Sequence, residues 1–435
     1  MATYTVTTSN WNSAAFWSGI SETAGGHTLD FSGLGAGYTL VYDESTGSLT
    51  LSDGATLFTV GDAAGSGGPY DATLGGSTLL EYFDTILGTQ GNDTINSGTG
   101  SESIDSGAGD DQIIDAGGND TITTGAGDDT VFAAGGADSI NTGDGSDVVF
   151  VGDNDGTDTI DGGSGGVDRD TLNLGFTAGA VVSFDGTGSG TYSDVGATAS
   201  GLFSEIEILD LTDADDSVDA SLDTGGLSIN ADAGNDTVQG GSGADTVFAG
   251  AGDDSIDLGG GADMVSGGDG IDTLLVTTTS TGRGFTVNLE TNLIDLDLSP
   301  FFASVFGVEN VSGSANDDHI TGDAGDNILQ GNSGDDTLTG NNGADSFVFD
   351  TGHGSDEITD FDTSEGDALI LTTDLAGTAT TGADVIAQYA TTNTATLVVL
   401  DFGGSEIRIT GTDLDTLADQ IEVRDDRLLA TEFVL

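Results

Sequence analysis

A period of nine residues recurs in three blocks of this chain. From Gly88 the sequence divides without a gap into GTQGNDTIN, SGTGSESID, SGAGDDQII, DAGGNDTIT, TGAGDDTVF, AAGGADSIN and TGDGSDVVF, and DNDGTDTID follows after a slip of two residues. The pattern returns in a second block that includes ADAGNDTVQ and in a third that includes GNSGDDTLT. Such a period predicts a repeat architecture in which each unit packs against its neighbours.

Each position of the repeat has a physical role. Glycine dominates the first four positions, where a tight turn needs positive φ or close approach of two backbones. The last three positions suit a short strand with one inward side chain. Two repeats therefore predict one coil of turn, strand, turn, strand, and stacked coils give two parallel sheets. The residues expected between the sheets occupy position eight, which in the first block is Ile95, Ile104, Ile113, Ile122, Val131, Ile140, Val149 and Ile160.

Position six is acidic in almost every copy, so stacking places carboxylates in rows about 4.8 Å apart along the turns. Calcium would neutralise these rows, because it takes six to eight oxygen ligands including backbone carbonyls, whereas magnesium requires a stricter octahedron. The predicted metal ligands are Asp93, Asp111, Asp120, Asp129, Asp138, Asp147, Asp158, Asp236, Asp245, Asp254, Asp263, Asp272, Asp318, Asp336, Asp345 and Asp356, with turn carbonyls such as Gly91, Gly109, Gly127, Gly145, Gly243, Gly252 and Gly334. We expect roughly 10–20 ions, with weaker sites where Glu102, Leu227 and Asn327 replace the aspartate.

The charge of the chain excludes several classes of partner. There are 75 Asp and Glu against five Arg and no Lys, for a formal net charge of −70. Phosphate backbones and anionic lipids would repel such a chain, so we expect neither nucleic-acid binding nor membrane insertion. No apolar run is long enough to span a bilayer, and MATYTVTTSNWNSAAFW lacks the basic and apolar regions of an ordinary signal peptide.

The motif GGxGxDxUx resembles the calcium-binding repeat of RTX proteins, which are bacterial exoproteins exported by type I secretion. This resemblance implies an all-β, right-handed parallel β-roll or β-solenoid that is unfolded in the cytosol and folds on extracellular calcium. The C-terminal segment is similar to that of type I substrates, with an uncleaved signal that ends at Glu432, Phe433, Val434 and Leu435. It implies a secreted or cell-surface protein with the type I apparatus as a partner.

The predicted organisation follows the repeats. A small N-terminal β domain of unknown role spans 1–87 and contains Trp11 and Trp17. The repeat blocks span 88–170, 211–275 and 313–360, and strands of the same solenoid fill 171–210 and 276–312. A C-terminal β cap and the secretion signal span 361–435.

No catalytic motif is evident. None of His27, His319 and His353 lies in HExxH, and the GGSGG around Ser164 lies in a repeat turn. We therefore expect a non-enzymatic surface or matrix protein, such as a surface-layer, filament or biofilm subunit or an adhesin, which forms homo-oligomers through the ends of the roll and the N-terminal domain. The alternative is a polysaccharide-acting enzyme or carbohydrate-binding accessory, with Glu205, Glu207 and Asp210 as candidate carboxylates.

Overall fold

A computed structural model describes residues 3–7, 9–10, 27–34, 38–43, 48–52, 57–61, 83–97, 99–153, 155–164, 169–276, 284–295, 302–394 and 396–425. The chain forms two compact units, Met1–Thr212 and Asp213–Leu435. Among the described residues, no helix has the length and apolar character needed to cross a membrane. The predictions for Trp11, Trp17 and the residues from Glu432 to Leu435 concern positions outside this described part.

The first unit is built from short strands. They are β1 (Thr3–Thr5), β2 (His27–Asp30), β3 (Thr39–Asp43), β4 (Ser48–Ser52), β5 (Leu57–Gly61), β6 (Phe83–Leu87), β7 (Thr94–Asn96), β8 (Ser103–Ala108), β9 (Gln112–Ile114), β10 (Thr121–Ala126), β11 (Thr130–Ala133), β12 (Ser139–Asp144), β13 (Val148–Gly152), β14 (Gly156–Asp161), β15 (Thr171–Gly175), β16 (Ala180–Gly186), β17 (Ser189–Asp194), β18 (Ala199–Ser204) and β19 (Ile208–Asp210).

The described residues of the second unit form further strands and three short helices. The strands are β20 (Ser217–Asp219), β21 (Ser228–Asn230), β22 (Thr237–Gln239), β23 (Thr246–Ala251), β24 (Ser255–Asp257), β25 (Met264–Asp269), β26 (Thr273–Leu275), β27 (Thr286–Asn288), β28 (Leu293–Asp295), β29 (Phe302–Phe306), β30 (Asn310–Ser312), β31 (His319–Thr321), β32 (Ile328–Gln330), β33 (Thr337–Thr339), β34 (Ser346–Phe349), β35 (Ser355–Ile358), β36 (Ala368–Thr372), β37 (Ala390–Thr394), β38 (Leu397–Asp401), β39 (Glu406–Thr410) and β40 (Ile421–Arg424). The helices are α1 (Thr373–Ala376), α2 (Gly382–Tyr389) and α3 (Leu414–Leu417).

Successive strands of the repeats alternate between two parallel sheets. In the first unit β8, β10 and β12 pair in one sheet, while β9, β11 and β13 pair in the other. Thr121 pairs with Ser103 on one side and with Ser139 on the other, so the step between neighbouring strands equals two repeats. In the second unit β22 and β24 pair in one sheet, and β23 and β25 pair in the other, in the same way. The predicted coil of two repeats and the β-roll class are confirmed.

The core lies between the two sheets, and the position-eight side chain of each repeat strand points into it. Every position-eight residue of the first block, from Ile95 to Ile160, is at most 2% exposed. The glycine turns allow the coils to approach closely. Gly127 has φ +132, and a Cβ there would lie 2.2 Å from the carbonyl oxygen of Gly109. Close stacking of coils therefore requires glycine at this position.

The segments between the repeat blocks carry the sheets onward and also insert antiparallel strands. In the first unit β14 pairs in parallel with β18 and β15 with β19, while β16, β17 and β18 form an antiparallel meander. In the second unit β25 pairs with β29 and β26 with β30, while β27, β28 and β29 form a second meander. The parallel continuation agrees with the sequence prediction, whereas the antiparallel strands were not predicted.

The described strands at the two ends of the chain continue the parallel sheets. β1, β2, β6 and β8 pair in parallel in one sheet, so described strands on both sides of residue 87 share that sheet. At the other end β34, β36 and β40 continue a parallel sheet, and β37, β38 and β39 form an antiparallel meander. The three helices of this end begin after Thr372, Thr381 and Asp413, whose side chains accept a backbone N–H of the first turn.

Candidate metal sites along the turns

The position-six acids form a ladder that joins each coil to the next. Asp129 is 1% exposed, and its Oδ1 accepts the backbone N–H of Asp111 at 2.7 Å. The N–H of Asp129 in turn donates to Oδ1 of Asp147 at 2.7 Å. The same bond recurs between Asp93 and Asp111, Asp120 and Asp138, Asp138 and Asp158, Asp236 and Asp254, Asp245 and Asp263, Asp254 and Asp272, Asp318 and Asp336, and Asp336 and Asp356.

The second carboxylate oxygen of many ladder acids is buried without a hydrogen-bond partner. These are Oδ2 of Asp111, Asp120, Asp129, Asp138, Asp236, Asp254, Asp263, Asp272, Asp336 and Asp345. A buried and unpartnered charged oxygen is costly, because it has lost water and gained no donor. A cation bound at these oxygens would remove that cost.

Other ladder acids have a protein donor on the second oxygen. Oδ2 of Asp158 accepts the hydroxyl of Tyr192 at 3.0 Å, and Oδ2 of Asp356 lies 2.5 Å from Nδ1 of His353. Backbone N–H groups donate to Oδ2 of Asp93, Asp245 and Asp318. The assignment of all sixteen acids as metal ligands stays a prediction, and fifteen of them fall into these two environments.

Backbone carbonyls line the same turns. The carbonyl oxygen of Gly127 lies 1.9 Å from the place of a Cβ on Gly145, and that of Gly252 lies 2.0 Å from the place of a Cβ on Gly270. The carbonyl oxygens of Gly109, Gly243 and Gly334 likewise lie against a position-four glycine of the next coil. A Cβ on Gly109 would lie 2.6 Å from the carbonyl carbon of Gly91. The carbonyl groups of all these position-four glycines were predicted as ligands.

The unpartnered oxygens face position one of their own repeat. A Cβ on Gly331 would lie 2.2 Å from Oδ2 of Asp336, and a Cβ on Gly340 would lie 2.2 Å from Oδ2 of Asp345. The surroundings of these oxygens are thus carboxylates and peptide groups, a donor set that suits a hard cation such as calcium.

Burial makes the ionised form of the ladder acids unfavourable in the absence of a cation. It raises the pKa of Asp129 to about 7, that of Asp236 to about 7 and that of Asp120 to about 8, where the neighbouring Asp115 carboxyl adds to the effect. In the part of the chain that the structure describes, the ion pairs of Arg408 and Arg424 are with Glu406 and Glu422 on the surface. These arginines do not neutralise the ladder.

The ladder includes acids that the nine-residue pattern did not identify. Oδ1 of Asp170 accepts the N–H of Asp147, Oε2 of Glu207 accepts that of Asp170, Oε2 of Glu309 accepts that of Asp272, and Oδ1 of Asp367 accepts that of Asp345. Each lies two residues before a buried aliphatic side chain, as position six does before position eight. That shorter signal would have identified them.

The three substituted copies keep the ladder bond through their backbones. The N–H of Glu102 donates to Asp120, that of Leu227 to Asp245 and that of Asn327 to Asp345. The Asn327 side chain accepts the N–H of Asp323 and donates to the carbonyl of Glu309. Weaker ion binding at these copies stays a prediction.

The fold is a β-roll whose turns bring buried carboxylates and backbone carbonyls together. The family model of the RTX calcium-binding nonapeptide repeat matches residues 81–113, 115–149, 228–256, 239–274, 312–347 and 321–356. These segments are RTX repeats, so the resemblance inferred from the sequence is confirmed, and calcium is the ion that such repeats bind. The metal coordination at individual aspartates is not part of that match.

Comparison with whole proteins is less informative. No curated protein matches the chain. Among solved structures, the extracellular lipase LipA from Serratia marcescens is similar with a TM-score of 0.22 and 18% sequence identity. The match covers 78% of this chain and 40% of the lipase chain, so this chain spans less than half the length of the lipase.

Proposed function

We propose that this is a secreted protein whose β-roll folds when calcium binds outside the cell, and that the folded roll has a structural role at a cell surface or in an extracellular matrix. The observation that supports the proposal is the set of buried, unpartnered Oδ2 atoms along the turns, which occurs in both compact units. In the folded chain these oxygens need a cation because they have lost water and have no hydrogen-bond donor. In the unfolded chain water solvates them.

The magnitudes favour folding controlled by calcium. An unsatisfied buried polar group costs about 1–3 kcal/mol, and more when it is charged, whereas a typical domain is stable by about 5–15 kcal/mol. A few ladder oxygens without an ion would therefore exceed the stability of the fold. Calcium bound only by the folded chain adds RT ln(1 + [Ca]/Kd) per site, or about 1 kcal/mol when its concentration is several times Kd.

This coupling is compatible with export through a type I secretion apparatus. Extracellular calcium modules bind with Kd of about 10⁻⁴–10⁻³ M, so the chain would stay unfolded at cytosolic calcium and fold at millimolar calcium. RTX repeats are typical of proteins that follow this route, and the repeats of this chain support its assignment to the cell exterior.

Exposed apolar side chains support self-association as the structural role. On the outward faces of the strands Leu202 is 53% exposed, Phe248 is 44% exposed and Phe306 is 45% exposed. Phe132 and Phe150 stack with ring centroids 4.6 Å apart on neighbouring strands. Such positions supply contacts for a second copy of the chain, in addition to the ends of the parallel sheets.

The enzymatic alternative rests on Glu205, Glu207 and Asp210. The carboxylate of Glu207 accepts the backbone N–H of Asp170 at 3.0 Å, and that of Asp210 accepts the side-chain amide of Asn173. These contacts favour a structural role for both groups. Release of new reducing ends from any member of a polysaccharide panel would support the alternative instead.

The proposal is tested by a calcium titration of the full chain with circular dichroism and light scattering on one sample. We expect a cooperative gain of β signal near millimolar calcium, followed by a rise in scattering, and no such gain with magnesium at the same concentration. A gain of β signal without a rise in scattering would support calcium-dependent folding and contradict the proposed assembly. No response to calcium would overturn the proposed function.

A further inference from the structure

One of the seven uninterrupted repeats that begin at Gly88 carries a carboxylate at its first position. Among the seven repeats from Gly88 to Phe150, position one is acidic only in DAGGNDTIT, where it is Asp115. The equivalent residue is Ser97 one coil earlier and Ala133 one coil later. Asp115 is 2% exposed, so its side chain lies inside the turn rather than in solvent.

The geometry of the ladder explains where this carboxylate lies. Position one faces Oδ2 of position six in the same repeat, as the 2.2 Å approach at Gly331 shows. An acid at position one therefore lies beside an oxygen of Asp120. One carboxylate oxygen from each of Asp115, Asp120 and Asp138 lies within 4.8 Å of the others. Two oxygens on opposite sides of a calcium ion are about 4.6–5.2 Å apart, so one ion can contact all three.

Two oxygens of this cluster have no other partner. Oδ2 of Asp120 and Oδ2 of Asp138 are buried without a hydrogen bond, and the two residues are 2% and 3% exposed. Asp115 itself is held in place from three directions. Its Oδ1 accepts the hydroxyl of Ser97 and the N–H of Gly117, each at 3.0 Å, and its Oδ2 accepts the N–H of Ala134 at 3.1 Å. In the folded roll the third carboxylate is therefore held in place by hydrogen bonds of the protein itself.

We infer that Asp115, Asp120 and Asp138 form a three-carboxylate calcium site that fills before the other turns of the roll. The affinity of an oxygen site for calcium rises with the number of charged ligands and with the rigidity of the site. This site has one more carboxylate than a turn with glycine, alanine, serine or threonine at position one. It would bind calcium at least about tenfold more tightly than those turns. The inference rests on the calcium-dependent folding proposed above.

Equilibrium dialysis of the full chain against buffered free calcium tests the site by counting bound ions. The unmodified chain is expected to retain one ion at a free calcium concentration about tenfold below that needed for the remaining ions. Asp115→Asn retains an oxygen acceptor and removes the charge, and Asp115→Ala introduces the residue found at Ala133. Both variants should lose the early ion and bind the later ions as before. Asp105 lies in β8 and is exposed. Asp105→Asn removes one negative charge, as Asp115→Asn does, and this control variant should still bind the early ion.

The outcomes separate this inference from the function on which it rests. A chain that folds with calcium but shows no early ion, or an early ion that survives in Asp115→Asn, would overturn the three-carboxylate site alone. A chain that binds no calcium at all would overturn both. If Asp115→Ala does not fold, Asp115→Asn decides the question, because its side-chain oxygen can still accept from Ser97 and Gly117.

Discussion

Replacing Asp129 with alanine removes two interactions of a single carboxylate. Its Oδ1 accepts the N–H of Asp111 at 2.7 Å, and a hydrogen bond to a charged group contributes about 1.5–3 kcal/mol. Its Oδ2 is buried and unpartnered, so this oxygen is available to an ion. At calcium ten times Kd, loss of one ion removes about 1.4 kcal/mol. Asp129→Ala should therefore lower the free energy of unfolding by about 3–4 kcal/mol.

The neighbouring Asp128 provides a matched control. Its side chain is exposed, and its Oδ1 accepts the N–H of Ser146 at 3.0 Å. Asp128→Ala changes the net charge by the same amount and should cost about 0.5–1.5 kcal/mol.

Urea unfolding followed by circular dichroism at several fixed calcium concentrations measures both variants. The deficit of Asp129→Ala should grow by about 1.4 kcal/mol for each tenfold rise in calcium above Kd, since the ion term rises logarithmically. The deficit of Asp128→Ala should stay constant. Equal deficits, or a deficit of Asp129→Ala that does not depend on calcium, would refute the assignment of position six to the metal.

Three further perturbations follow from the same geometry. Gly127→Ala should prevent close stacking, because its Cβ would lie 2.2 Å from the Gly109 oxygen, whereas Gly260→Ala, with nothing within 4 Å, should change thermal stability little; equal melting temperatures would contradict this. In a chelator, acid should favour the fold, because burial raises the pKa of acids such as Asp129 to about 7. An acid whose pKa is raised in the folded state contributes stability that is complete below the unfolded pKa of 3.8 and is lost as pH rises through about 7. A β signal that falls on acidification from about pH 8 to 5 would therefore count against the ladder. Tyr192→Phe leaves Oδ2 of Asp158 without its donor, which should cost about 1–3 kcal/mol at calcium just sufficient for folding and less at saturating calcium; a penalty independent of calcium would show that no ion replaces the hydroxyl.

The repeat itself could be predicted from the sequence, because its period fixes the coil. A spacing of two repeats sets the parallel register, position eight sets the core, and position six sets the buried acids. Ile122 and Asp129 behave as the pattern predicts, with 1% exposure each. Local physical rules suffice here, since each coil contacts mainly the next.

The remaining features depend on contacts that a local pattern does not contain. Strand alternation is the same in parallel and antiparallel pairs, so the meander of β16, β17 and β18 was not foreseen. That insertion also places Glu207 on the ladder 37 residues after Asp170, and brings Tyr192 to Asp158 across 34 residues. Whether a ladder acid needs an ion thus depends on neighbours supplied by distant parts of the chain.

Amide hydrogen exchange of the full chain tests most directly the claim that calcium holds the ladder together. The N–H groups of Asp111, Asp236 and Asp318 each donate to a carboxylate of the next coil. They should be strongly protected at millimolar calcium and exchange at the rate of an unfolded chain in a chelator at neutral pH. Equal protection of these amides with and without calcium would contradict the account.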